Sequence, residues 1–163
     1  MTQYFGKYPG NVIKNVDAYN QGRLQVNVPS VTGDVNVWAM PCVPFAGEGV
    51  GFFALPSIGA NVWVEFQGGN PDYPIWVGCF WGRGHAPVVP SLSDMSDMKV
   101  IKTDVGSITL NDSPEHEGIT IETKSGMKIA LTALGLEITN GKGAKIQLTG
   151  SQVSVNDGAL EVI

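Results

Sequence analysis

Beyond residue 105 the aliphatic side chains recur at every second position in short runs. They are Ile108 and Leu110, Ile119 and Ile121, Ile129 and Leu131, Leu136 and Ile138, Ile146 and Leu148, Val153 and Val155, then Leu160 and Val162. Between or beside them stand Thr109, Thr120, Lys128, Ala130, Glu137, Gln147, Ser154 and Glu161. A period of two is that of a β-strand with one apolar and one polar face. Glycines at 106, 118, 126, 135, 143, 150 and 158, spaced by 12, 8, 9, 8, 7 and 8 residues, punctuate the runs. The repeat predicts seven short strands, with glycine at each strand start letting the chain turn a corner where a Cβ would clash.

The first half carries a different pattern, of short strands divided by Gly, Pro and Asn signals. Strands are predicted at Gly10 to Asp17, Arg23 to Val28, Val35 to Pro41, Ala60 to Gln67 and Ile75 to Trp81, with a turn at Ala18 to Gly22. Five strands with long intervening loops in so short a stretch suit a small Greek-key barrel of the OB type, whereas a sandwich wants about seven strands. The composition breaks at the same place. Every Phe, Trp and Tyr lies between Tyr4 and Trp81, and Pro114 is the only proline beyond Pro90. The expected organisation is an all-β chain with a barrel over residues 1–82, a linker over 83–98 and a strand-rich rod over 99–163. Leu92, Met95 and Met98, at three-residue spacing, predict one helical turn at the linker's end.

A strand with one apolar face must cover it, and an open sheet edge invites another chain. Three strands per coil at an eight-residue repeat would take about 24 residues, so a solitary solenoid would have fewer than the three coils such folds need. Three copies wound together as an intertwined triple-stranded β-helix, a triangular prism whose faces can each stack strands from all three copies, solve this by burying the aliphatic stripe along a shared axis. Ile108, Leu110, Ile119, Ile121, Ile129, Leu131, Leu136, Ile138, Ile146, Leu148, Val153 and Val155 are the expected trimer core. Seven strands at about 4.8 Å spacing give a rod roughly 35 Å long. With no Phe, Trp or Tyr to accommodate and nearly every amide in a ladder, rigidity is its expected property.

Charge and motifs remove other classes of function. The net charge is −5, and through Met98 only Lys7, Lys14, Arg23 and Arg83 are basic. An OB barrel that binds single strands stacks bases on aromatics, and Trp38, Trp63, Trp76 and Trp81 could serve, but the basic groove that grips phosphates is absent. Core packing is the expected role of the tryptophans. No GK[ST] follows Gly68-Gly-Asn-Pro71, so that loop reads as a turn and not a phosphate cradle. Cys42 and Cys79 lie far apart with no CxxC or histidine cluster beside them, and are expected as buried thiols with no metal or redox role. The opening residues lack a signal-peptide pattern and no window is apolar enough for a membrane span, which predicts cytoplasmic synthesis.

Glu115-His-Glu117, after Asn111-Asp-Ser-Pro114, is the densest cluster of titratable groups and reads as a solvated loop. Asp94 and Asp97 read as caps or surface charges. No G-x-S-x-G is present, and His85 and His116 have no recognisable nucleophile partner. No catalytic residue, cofactor or metal ligand is assigned. A β-helical transferase would need six-residue turns, and the intervals here centre on eight.

Gly22-Arg-Leu-Gln-Val26, Trp38-Ala-Met-Pro41 and the long run from Leu55 to Gly78, with Val62-Trp-Val-Glu-Phe66, Gly69-Asn-Pro71 and Pro74-Ile-Trp-Val-Gly78, resemble the OB domain of contractile-injection spikes. The relatives are phage baseplate assembly protein V and the VgrG spikes of type VI secretion. Ser57 and Ala60-Asn61 depart from acidic residues common in that pattern. The resemblance implies a homotrimeric, non-enzymatic spike held in the baseplate of a phage or phage-tail-like particle. It also implies a hub protein bound at the OB end and a PAAR-type tip protein at the other, on Leu160, Val162 and Ile163. A His-x-His iron apex is absent, and residues 83–98 leave no room for the lysozyme domain some relatives insert. Sheath contraction would drive such a spike through a membrane it touches only transiently. The competing readings are an OB-fold single-stranded nucleic-acid-binding protein and a β-helical enzyme.

Overall fold

The computed structural model describes residues 2–87, 96–114 and 116–162. The chain divides into two compact units, Met1–Ala86 and Pro87–Ile163. The first unit holds strands β1 (Tyr8–Lys14), β2 (Leu24–Asn27) and β3 (Asn36–Pro41), with the short helix α1 (Pro29–Thr32) between β2 and β3. A two-residue hairpin follows, β4 (Ala46–Gly47) and β5 (Val50–Gly51), then β6 (Asn61–Phe66) and β7 (Pro74–Phe80). Strands β1, β2, β3, β7 and β6 close a five-stranded barrel. The closing seam is parallel, with Met40 opposite Ile75 and Pro41 opposite Trp76.

Alternation decides what fills the barrel. Leu24 and Val26 point in from β2, Ala39 from β3, and Val62, Val64 and Phe66 from β6. The same alternation corrects the expectation that the tryptophans pack the core: Trp76 is buried, but Trp38 and Trp63 are only half-covered and Trp81 is exposed. Trp63 stands between inward Val62 and Val64 and therefore faces out, where it stacks on Phe80 with centroids 4.5 Å apart. Both thiols are exposed as well, against the expectation of burial. Cys42 lies just past the end of β3, and Cys79 lies in β7 beyond the register shift opposite Trp63 and Val64, where inward alternation is broken.

The second unit is one eight-stranded antiparallel sheet. Its strands are β8 (Met98–Lys102), β9 (Gly106–Asn111), β10 (Gly118–Thr123), β11 (Lys128–Thr132), β12 (Gly135–Thr139), β13 (Lys145–Thr149), β14 (Gln152–Val155) and β15 (Leu160–Val162). β8 is one strand more than the glycine repeat predicts, because no glycine introduces it. Met98, expected at the end of a helical turn, is its first residue, while Leu92, Met95 and Asp94 lie outside the described residues.

Each strand pairs with the strands before and after it in the same chain. The connections explain this. Residues 133–134 and 150–151 are two-residue hairpin loops, and Gly126, Gly141, Gly150, Asn156 and Asp157 supply the positive φ angles that tight reversals need. A reversal returns the chain beside the strand it has just left. Some glycines serve a different purpose. A Cβ on Gly135, whose φ is +139°, would fall 2.0 Å from the Leu148 carbonyl oxygen, so this strand start is shaped by close backbone approach to β13.

Candidate assembly surface

The register gathers the aliphatic positions of the second unit into two columns on one face. In the first, Leu110, Ile119, Leu131, Leu136, Leu148 and Val153 stand opposite one another from β9 to β14. In the second, Ile101, Ile108, Ile121, Ile129, Ile138 and Ile146 do the same from β8 to β13, followed by Val155 and Leu160. All the residues expected in the core therefore share this face. Sequence reading missed Ile101, whose signal was the brief alternation Lys99-Val-Ile-Lys102. Leu160 continues the isoleucine column, and the backbone register carries on to Val162 opposite Val153. Ile163 lies outside the described residues.

Within the second unit, none of the described residues covers this face. Its side chains from Ile108 to Val153 keep about two-fifths of their surface in water, as at Ile108 (38%) and Leu131 (44%), with Leu136 somewhat better covered. Among the described residues, the sheet's one buried hydrophobic residue is Ala130, on the opposite face. There Thr109, Thr120, Glu137, Gln147 and Ser154 are half-covered, and the Gln147 amide donates to Glu137 Oε2 at 2.9 Å. Ion pairs sit at the margins: Lys99 with Asp112, and Lys145 with Asp157, whose carboxylate raises the lysine's pKa. The sheet thus has continuous backbone ladders and no apolar core of its own, and a face of this size is what interaction surfaces expose.

The barrel has one strongly organised polar centre. Asp17 accepts from Arg23 Nη2 at 2.7 Å and Nε at 3.1 Å, and from the backbone N–H groups of Tyr19 (3.0 Å) and Gln21 (2.9 Å). Its side chain is 3% exposed. The Arg23 hydrogen bonds hold the carboxyl well below the usual carboxylate range, outweighing the opposing effect of desolvation. The Arg23 guanidinium lies 4.4 Å from the Tyr19 ring centroid and 5.2 Å from that of Trp38. The cluster is a turn lock between β1 and β2, with its charge spent internally. The cleft beside the β4–β5 hairpin encloses about 520 Å³, walled by Gly22, Pro41, Leu55 and Trp76, with Phe45 and Phe53 at its rim and no titratable side chain.

Chemistry finds little to work with. His116 and Glu117 are exposed, and Glu115 lies outside the described residues. Among the described residues no group of three His, Cys, Asp or Glu side chains is placed to hold a metal. Partial desolvation pushes the Cys79 thiol up although the residue reaches solvent, the reverse of what a nucleophilic thiolate requires.

Comparison with known proteins agrees with this division. Residues 8–81 match the type VI secretion system/phage-baseplate injector OB domain, a span that begins with β1 and ends one residue past β7. Residues 98–161 match the phage baseplate V C-terminal trimerisation domain, which is the uncovered sheet. The chain belongs to the phage baseplate V and VgrG-like spike family. The chain is also similar to the type VI secretion system spike protein VgrG4b of Pseudomonas aeruginosa, 28% identical over 123 residues. That alignment takes in 74% of this chain and 14% of the relative, so the chain spans a small part of the larger protein's length. Among the described residues no helix is long and apolar enough to cross a membrane.

Proposed function

We propose that three copies of this chain close their apolar faces on one another to form the non-enzymatic spike of a contractile injection machine, incorporated in the baseplate of a phage or related particle. The observation that carries this reading is the face of Ile, Leu and Val columns that one copy leaves in water. At about 25 cal/mol per Å² of apolar surface removed from water, closing three such faces is the largest stabilisation open to the sheet. A trimer also satisfies the family's trimerisation domain. In this reading the barrel meets a hub protein, and Leu160, Val162 and Ile163 lie at the end that carries a separate tip protein. The domain limits that serve it are a barrel over 1–82, a linker over 83–98 and a spike over 99–163. A stiff body of continuous ladders transmits thrust without hinging, which suits it to puncture a target membrane when a sheath contracts.

The test is charge in the core. Ile129→Asp or Ile146→Asp places three carboxylates where no water reaches, a cost of several kcal/mol per unpaired ion. Light scattering at micromolar concentration is expected to show trimers for the natural chain and none for either variant. A folded trimeric variant, or a natural chain that scatters as a well-ordered monomer, would refute the reading.

A further inference from the structure

Hairpin connections give the sheet two unlike edges. One edge carries the turns at 103–105, 124–127, 140–144 and 156–159, and the other carries 112–117, 133–134 and 150–151. The first edge is bound into a continuous band: Lys124 N–H donates to the Val105 carbonyl at 2.9 Å, and a Cβ on Gly141 would lie 2.5 Å from the Gly126 carbonyl oxygen. The isoleucine column runs beside this edge and the leucine-rich column beside the other, as the register requires.

At most levels the apolar stripe stops short of both edges. Two residues out by the same alternation stand the polar Asp112, Glu117, Thr123, Asn140, Ser151 and Asp157 and the small Ala133 and Ala144. Around β11 and β12 it does not stop. Met127 stands at the first edge two residues before Ile129, and Leu134 stands at the second edge two residues before Leu136. Both are turn residues, where polar side chains are the rule. Both are uncovered, with Met127 55% exposed and Leu134 83% exposed.

We propose that Met127 of one copy packs against Leu134 of the next, so that this pair closes each corner of the trimer at the level of β11 and β12. The inference rests on the homotrimer reading and adds which edges meet. A threefold axis makes every contact heterologous, so each corner joins the first edge of one copy to the second edge of its neighbour. Among the described residues this is the level at which both edges carry a large apolar side chain; Val105, 73% exposed, is a further apolar turn residue on the first edge, but the turn at 112–117 gives it no aliphatic counterpart on the second.

The experiment uses the full chain with its exposed thiols removed, Cys42→Ser and Cys79→Ser, and adds Met127→Cys, Leu134→Cys or both. A bismaleimide of roughly 10 Å reach cannot join the two sites within one copy, since the residues from 127 to 134 span about 23 Å when extended. The double variant is expected to yield covalent dimers and trimers in denaturing gels, and each single variant to stay monomeric there. Cross-linking by a single variant would mean that like edges meet, and would overturn the proposal. So would a double variant that light scattering shows to be trimeric but that does not cross-link, an outcome that leaves the homotrimer intact. A monomer by light scattering in the cysteine-free parent would remove the homotrimer reading and the corner with it. As a check on substitution damage, Leu134→Cys alone is expected to react with a monofunctional maleimide at least tenfold more slowly in the trimer than after dissociation in denaturant. Equal rates would overturn the proposal.

Discussion

Asp17 shows how one carboxylate can hold a turn by itself. It gathers both the Arg23 guanidinium and the backbone N–H groups of Tyr19 and Gln21, so the reversal between β1 and β2 depends on its ionised form. Because its folded-state pKa is depressed below the unfolded value of about 3.9, its stabilisation is complete above that value and is lost as pH falls through and below about 4. The urea midpoint of the barrel, read by tryptophan fluorescence, is expected to decline on acidification from pH 5 to 3. Asp17→Asn is expected to lower the midpoint at pH 7 and flatten that decline; an unchanged acid slope in the variant would remove Asp17 from its cause. The residue scale also shows what periodicity could disclose. That Trp63 faces out was legible from Val62 and Val64 on either side, and its aromatic character suggested burial only because residue type was weighed above position. Met127 and Leu134 were not legible, because they belong to turns and a period-two pattern read strand by strand ends before them.

At the scale of elements, the aliphatic columns were readable almost residue by residue, since alternation fixes which side chains share a face whatever the neighbouring strand is. The pairing was not readable in the same way. A glycine every eight residues is compatible with a corner or with a reversal, and only the turn geometry at places such as 133–134 and 150–151 separates them. The β4–β5 hairpin, two residues on each side, is too short to show any period. The glycines themselves divide by role. Gly135 is held at a φ of +139° with the Leu148 carbonyl where a Cβ would be, while Gly150 adopts a φ of +59° in open space. Gly135→Ala is expected to cost on the order of 1–3 kcal/mol in backbone strain and further clash with β13. Gly150→Ala, in the left-handed helical region, is expected to cost about 1 kcal/mol. Melting curves followed by circular dichroism rank the two, and equal losses would contradict the close-approach argument.

At the scale of the molecule the two units differ in what stabilises them. The barrel buries its own core, and the sheet depends on partners. All the tryptophans lie in the first unit, so their fluorescence reports the barrel alone, whereas circular dichroism reports both units. A tenfold dilution costs a trimer about 2.7 kcal/mol, two factors of ten by mass action. The circular-dichroism transition of the sheet is therefore expected to fall with dilution; a transition independent of concentration across a hundredfold range would show that the sheet is stable alone.

The consecutive pairing of β8 to β15 also bears on how the molecule comes into being. Every ladder in that sheet joins segments only a few residues apart in sequence, so closing each one demands little chain entropy and no other molecule. Hairpins can zip one after another as the polypeptide leaves the ribosome, and the collision of three polypeptides becomes the final event. Nothing has to be threaded. The hazard moves to the interval between those events, when a finished greasy sheet waits for its sisters and must meet them before it meets anything else.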